Sequence, residues 1–149
     1  MKSNPEQLSL HQQQYIETIY SLSTKKSHAH SKEIAEELNI SMASVTEALR
    51  TLSGMGLINY QARQAVTLTE QGWVIGKELN QRHTVVATFF TDILGVDVKS
   101  AEKYACKVEH VINDEIRRRL SSFIQLLNEG LNGDAKQQLI SFKANNEQP

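Results

Sequence analysis

The sequence predicts a mainly α-helical protein: an N-terminal winged helix-turn-helix with a small β-hairpin wing, followed by a second, all-helical part. Three observations carry this. Two short amphipathic segments, 31–38 and 42–52, are separated only by Asn39, Ile40 and Ser41. Two alternating stretches, 57–60 and 65–69, flank a polar tip and read as a hairpin. From Glu70 onward the apolar residues then fall at helical spacing as far as Leu94.

The elements follow in order. A first helix over 8–22 places Ile16, Ile19, Tyr20 and Ser23 at helical spacing, with Ser9 as its cap, and a polar bend over 23–30 follows. Ser31 is placed to cap the second helix, which offers Ile34, Ala35 and Leu38 to a core; Ser41 caps the third, with Val45, Leu49 and Leu52 on its inner face. In a helix-turn-helix a small residue such as Ala35 lets the helices cross closely, and an apolar turn residue, here Ile40, is expected to plug the corner. Gly54 and Gly56 end the third helix, and Arg63 rides the hairpin tip. The long helix over 70–94 offers Val74, Ile75, Leu79, Val86, Phe89, Phe90 and Ile93, and stops at Gly95. A further helix is expected from Val96 through His110. Asn113 then caps another, with Asp114 and Glu115 in its first turn, where the helix dipole favours acids. Beyond Gly130 and Gly133 a modest helical stretch is expected over 139–142, with 143–149 frayed. The domain boundary is expected after Gly72, giving 1–72 and 73–149.

The 149 residues, 40% of them hydrophobic, suffice to bury a core. No apolar run is long enough for a membrane span and residues 1–14 are polar, so the expected location is the cytoplasm, with no membrane partner. The net charge of −1 is spread evenly: 8 Lys and Arg face 8 Asp and Glu up to Arg82, and 8 face 9 after it. Bulk charge therefore neither proposes nor excludes nucleic acid.

The single cysteine, Cys106, cannot form an internal disulfide. With Glu109 and His110 it stands at i, i+3 and i+4, positions that share one face of a helix. Thiolate, carboxylate and imidazole together suit a first-row divalent transition ion better than calcium or magnesium. A buried cysteine beside a surface Glu-His pair fits the spacing equally well, and so does a redox-sensing thiol. Glu17, three residues after Gln14, and His83 on the long helix are further candidate donors. Cys106 as a nucleophile with His110 as base is disfavoured. Nothing nearby offers an oxyanion hole, and consecutive helical turns leave little room for a substrate, so the chain is read as no enzyme. The basic run Arg117, Arg118 and Arg119 reads as a solvated face. On the third helix Ser41, Ala43, Ser44, Glu47 and Arg50 have the chemistry to meet phosphates, a thymine methyl or cytosine N4. Arg63 is placed for a wing contact to phosphate or minor groove.

The layout resembles the diphtheria-toxin-repressor and manganese-transport-regulator family (DtxR/MntR). The segments that carry it run in order: "QYIETIY" (14–20), "EIAEELNISMASVT" (33–46), "GLINY" (56–60), "LTEQG" (68–72), "RH" (82–83), "DILGVD" (92–97) and "ACKVEHV" (105–111). The resemblance implies a metal-activated homodimeric transcription repressor of metal-uptake genes that binds a palindromic operator, its helical second part serving dimerisation. It also implies the ligands Cys106, Glu109, His110, His83, Glu17 and Gln14. Gln14 departs from the pattern, since iron-type members carry methionine there and manganese-type members aspartate. Cys106 points toward iron(II), because manganese prefers oxygen, and manganese(II) is the close alternative. Ala87 and Glu102 stand where iron-type members have glutamate and histidine, so that branch's ancillary site is not preserved as such. The chain after Leu120 is too short for an SH3-like third domain, which implies the two-domain form. The alternative from another class is a metal-independent winged-helix regulator that senses oxidants through Cys106.

Overall fold

The computed structural model describes residues 5–145 and divides into two compact units between Asn80 and Gln81. The first unit opens with a 3-10 turn, Pro5–Gln7, and helix α1, Leu10–Lys26. Ser9 caps α1 as its side chain accepts from the Gln12 amide, while the Gln12 side chain accepts from the Ser9 amide. The helix continues one turn beyond the expected end, because Ser23 is buried and Ser27 ends it in the left-handed conformation. The bend expected over 23–30 is therefore shorter.

Helix α2, Ser31–Leu38, and helix α3, Met42–Gly54, form the expected helix-turn-helix. The N-cap of α2 is His30 rather than Ser31; the Glu33 carboxylate accepts from the His30 amide at 2.9 Å and so holds the first turn. Asn39 makes the turn with φ 53°, and Ser41 caps α3 as predicted. Ala35 is buried at the crossing, but Ile40 is 37% exposed and does not plug the corner. Its amide reaches the Ala35 carbonyl at 3.0 Å, and that turn geometry directs its side chain outward.

The wing is shorter than the alternation suggests: β1, Ile58–Asn59, pairs antiparallel with β2, Thr67–Leu68, and Ala29 adds a bridge to Val66. Arg63 takes the left-handed conformation in the tip, φ 66°. Ile16, Ile19, Ile34, Val45, Leu49, Leu52, Leu57, Val66, Ile75 and Leu79 are fully buried and form one core. Burial of each such side chain stabilises by roughly 1.5–3 kcal/mol.

Helix α4, Glu70–Thr88, begins in the first unit. Gly72 is required there, because a Cβ at this position would lie 2.0 Å from the Leu57 carbonyl oxygen. Val74, expected in the core, is 61% exposed, while Ile75 and Leu79 are buried. The long helix is not α-helical to Leu94; Phe89–Ile93 is a π-helical turn, closed by the Leu94 amide bonding the Phe89 carbonyl, and Gly95 follows with φ 70°.

In the second unit α5 spans Val98–Val108 with Asp97 as N-cap, α6 spans Asp114–Glu129 with Asn113 as N-cap, and α7 spans Gly133–Asn145. Helix α7 is longer than the expected stretch at 139–142, and residues 143–145, expected to fray, belong to it. Lys143 Nζ donates to the Asp92 carbonyl at 2.6 Å and ties it down. The expectation for 146–149 lies outside the described residues. The buried core here is small, Val86, Ala87 and Ala105 with Phe90, Val108, Ile112 and Leu120 partly buried against it. Ile116, Phe123 and Leu126 on α6 stay exposed. Among the described residues no helix is long and apolar enough to cross a membrane.

Candidate metal centre and nucleic-acid face

Helix α5 ends at Val108, two residues before the expected His110, so Glu109 is its C-cap and His110 lies in the following turn. Glu109 nevertheless keeps helical angles, φ −56° and ψ −32°, so its side chain continues the face that carries Cys106. Across from it, α4 supplies His83, twenty-three residues earlier in the chain than Cys106. His83 Nδ1 lies 2.5 Å from Glu109 Oε2 and 3.9 Å from Cys106 Sγ; His110 Nε2 lies 3.4 Å from Glu109 Oε1. The donor atoms of His83, Cys106 and Glu109 all fall within 4.8 Å of one another.

Glu109 is 0% exposed, and neither of its carboxylate oxygens has an aligned hydrogen-bond donor, the close approach of His83 included. A buried carboxylate in that condition is costly unless a cation balances it. In the metal-free protein the balancing charge is the His83 imidazolium. Cys106, then Glu109 and Glu102, push its pKa up to about 11 against the opposing effect of burial. The His110 imidazole goes the other way: burial holds its pKa down, as do the positive charges of His83 and Arg82, and Glu109 only partly offsets them. One histidine is thus favoured in its charged form and the other in its neutral form.

The donor set fits a divalent transition ion. Metal bonds of about 2.0–2.3 Å in a tetrahedral site put ligand atoms roughly 3.3–3.8 Å apart. Here His110 Nε2 and Glu109 Oε1, at 3.4 Å, already have that spacing, His83 Nδ1 and Cys106 Sγ are slightly wider at 3.9 Å, and His83 Nδ1 and Glu109 Oε2 are closer at 2.5 Å, an ion pair held by the proton on His83. Exchanging that proton for an ion widens this one distance by about 1 Å. Sulfur, nitrogen and oxygen converging on one point match the softer end of the first-row ions.

Of the six predicted ligands, His83, Cys106, Glu109 and His110 belong to the second unit and come together there. Gln14 and Glu17 belong to the first, half-buried on α1, where Gln14 lines a cleft of about 630 Å³ with His11, Tyr15, Leu38, Ile40, Ser44, Glu47 and Ala48. Glu102 had no assigned role in the sequence reading, yet its carboxylate is 2.7 Å from His83 Nε2. Its position four residues before Cys106 on the same helix was the available signal. The basic run of α6 is engaged locally: Arg117 and Arg118 pair with Asp114, and Arg119 with Glu115.

The predicted DNA-facing residues of the first unit, Ser41, Ala43, Ser44, Glu47, Arg50 and Arg63, are all exposed. Ser41 Oγ is occupied as the cap, accepting from the Ser44 amide at 3.1 Å, and the two serine hydroxyls lie 2.9 Å apart. That leaves Ala43, Glu47 and Arg50 as the less encumbered reading groups. Met42, which the sequence reading passed over as the first residue of α3, is also exposed on this face.

Two family models match the chain in order. The iron dependent repressor N-terminal DNA binding domain matches residues 7–66, and the iron dependent repressor metal binding and dimerisation domain matches residues 69–136. An uncharacterized HTH-type transcriptional regulator of Methanocaldococcus jannaschii is 37% identical over 74% of this chain and 90% of its own length. The HTH-type transcriptional regulator MntR of Lysinibacillus sphaericus is 31% identical over 77% of this chain and 82% of its own. The diphtheria toxin repressor of Corynebacterium efficiens is 29% identical over 71% of this chain, which spans only 46% of that protein. Among solved structures, a manganese-dependent transcriptional repressor in complex with manganese aligns with TM-score 0.71 and 25% identity, over 76% of this chain and 52% of that one.

Proposed function

Since the chain belongs to the iron-dependent repressor family, we propose that it is a homodimeric repressor of metal-uptake genes, switched on by iron(II), with manganese(II) the alternative ion. Membership supports the coarser statement directly: a metal-dependent transcription repressor, not an enzyme, with a DNA-binding and a metal-binding, dimerising part. It does not favour the reading of Cys106 as an oxidant sensor in a metal-independent regulator. The observation that supports the finer reading best is Glu109, fully buried, with no aligned hydrogen bond to either carboxylate oxygen, and flanked by His83, Cys106 and His110.

In this reading Cys106 Sγ, the Glu109 carboxylate, His83 Nδ1 and His110 hold the ion, and the sulfur donor tilts the site from manganese toward iron. The bound ion supplies two positive charges where the metal-free protein keeps a single proton on His83. His83 gives up that proton, and Glu109 then has a partner that does not depend on pH in the same way. Gln14 and Glu17 on α1 complete the proposed ligand set. They rest on the sequence resemblance, with Gln14 offering an amide oxygen in place of a charged or thioether ligand.

For a two-fold dimer on a palindromic operator, the α3 helices must enter successive major grooves about 34 Å apart. Metal occupancy selects the arrangement with that spacing, and by linkage operator DNA must then tighten metal binding by the same factor. The exposed apolar side chains of α6, Ile116, Phe123 and Leu126, are assigned to the face that a second copy covers. Arg63 is assigned to the DNA backbone beside the wing.

The test is an anaerobic titration of fluorescent operator DNA, read by anisotropy, with chelator-stripped protein at matched ionic strength and iron(II), manganese(II), zinc(II) or no metal. Binding that requires metal, with iron(II) acting at the lowest free concentration, is the expected result. Equal affinity with and without metal would remove the switch, and manganese(II) acting at the lower concentration would reverse the choice of ion.

A further inference from the structure

His83 uses both ring nitrogens: Nδ1 faces Glu109 and Cys106, and Nε2 sits 2.7 Å from Glu102 Oε2. A neutral imidazole has one N–H donor and one lone-pair acceptor, and which nitrogen has which is decided by its surroundings. An ionised carboxylate can only accept. In the metal-free protein each ring nitrogen faces a carboxylate and both carry protons; once Nδ1 gives up its proton to make room for an ion, Glu102, which can only accept, keeps the proton on Nε2 and so leaves the lone pair on Nδ1, the nitrogen that faces the candidate ligands.

We propose that Glu102 is a positioning residue for the metal centre, accepting from His83 Nε2 and so fixing the tautomer and ring orientation that present Nδ1 to the ion. The proposal rests on the metal-dependent reading above and adds to it a residue that touches no ion. Two features support it. Glu102 and Cys106 stand one turn apart on α5, so the orienting group and the sulfur donor ride one rigid element and His83 is held against both. The Glu102 side chain is 56% exposed and lies outside the buried core, so packing gives no reason for a carboxylate to be held there. Without it, the tautomer protonated on Nδ1 becomes accessible to the neutral ring, and the ring gains freedom to turn about its bond to Cβ; both deplete the state that can bind.

The experiment uses the full chain as wild type, Glu102→Gln and Glu102→Ala. Cobalt(II) affinity is read from the thiolate charge-transfer band in competition with a chelator, and the His83 tautomer from two-bond proton–nitrogen correlations on the zinc(II)-loaded, histidine-labelled protein. Loss of such an outer partner typically costs about 10- to 100-fold in affinity, and that loss is expected for Glu102→Ala. Glu102→Gln, which keeps an oxygen acceptor, should recover much of the loss and retain the Nε2-protonated ring. The metal-free melting temperature should fall only slightly in Glu102→Ala, since Cys106 and Glu109 still hold the His83 pKa up, whereas a merely structural role would move it in step with affinity. The proposal is overturned if Glu102→Ala binds cobalt(II) within about twofold of wild type, if wild-type His83 binds through Nε2, or if wild type holds an extra ion that Glu102→Gln loses, which would make Glu102 a ligand. A wild-type protein with no cobalt–thiolate band refutes the metal-centre reading itself and takes the proposal with it; a wild type that has the band separates the two failures.

Discussion

Replacing Glu109 with glutamine tests the metal centre at its most buried atom. The side chain keeps its shape and loses its charge. Zinc bound in small structural sites contributes about 10–16 kcal/mol from four ligands, so one ligand of comparable rank carries roughly 2.5–4 kcal/mol. At about 1.4 kcal/mol per decade, affinity should fall by roughly two to three orders of magnitude. The metal-free protein should respond far less, because two effects oppose. Removing the charge relieves a fully buried carboxylate whose oxygens have no aligned donor, whereas His83 loses one of the three side chains that hold its pKa up, keeping Cys106 and Glu102. The assay is a cobalt(II) titration followed by the thiolate charge-transfer band, alongside thermal melts of stripped wild-type and variant proteins. A Glu109→Gln protein that binds cobalt(II) within about threefold of wild type would refute the reasoning, since a carboxylate of that burial would then have some other purpose. A variant that loses metal but also melts far lower without it would show instead that Glu109 belongs to the fold.

Further expectations follow from other parts of the molecule. Below the ordinary imidazole value of 6.5 His83 is charged in folded and unfolded chains alike, so its raised folded pKa contributes fully to metal-free stability there. That contribution should fade as pH climbs toward about 11. Metal binding near neutral pH should accordingly release the His83 proton and strengthen as pH rises, which calorimetry in buffers of different ionisation enthalpy would measure; no proton release would count against His83 as a ligand. Gly72→Ala should lower stability by about 1–3 kcal/mol or more, because its Cβ meets the Leu57 carbonyl at 2.0 Å, and an unchanged denaturant midpoint would contradict that contact. Arg63→Ala should weaken operator and non-operator DNA alike and reduce the salt slope by about one, whereas a loss confined to the operator would make Arg63 a base reader. Leu126→Glu, at a side chain 60% exposed on α6, should shift the protein from dimer to monomer in light scattering; an intact dimer would place the interface elsewhere.

Sequence by itself determined what local chemistry decides. Caps and periodicity act within a turn or two of chain, so Ser9, Ser41 and Asn113 mark helix starts and the Asn39–Ser41 turn marks the helix-turn-helix, although the cap expected at Ser31 falls on His30 and the helix expected from Val96 starts after Asp97. The i, i+3 spacing likewise put Cys106 and Glu109 on one face, even though α5 ends at Val108, because Glu109 keeps helical angles, and His110 approaches Glu109 from the turn that follows. Tertiary structure decided what depends on burial and on partners distant in the chain. Alternation overstated the wing, which pairs over two residues in each strand. Periodicity placed Val74 and Ile40 in the core, but packing leaves both exposed, since a spacing pattern cannot say where the neighbouring element stops. The π turn at Phe89–Ile93 breaks a pattern that reads as unbroken helix, and Lys143 secures a C-terminal helix through a carbonyl fifty-one residues away. The site divides in the same way: its donors were legible one by one, but the complete burial of Glu109, the approach of His83 and the carboxylate of Glu102 behind it exist only where α4 and α5 meet. The physical reason is that hydrogen-bond caps and helical faces are set by nearest neighbours along the chain, whereas desolvation, and the charge balance it forces, is a property of everything packed around an atom.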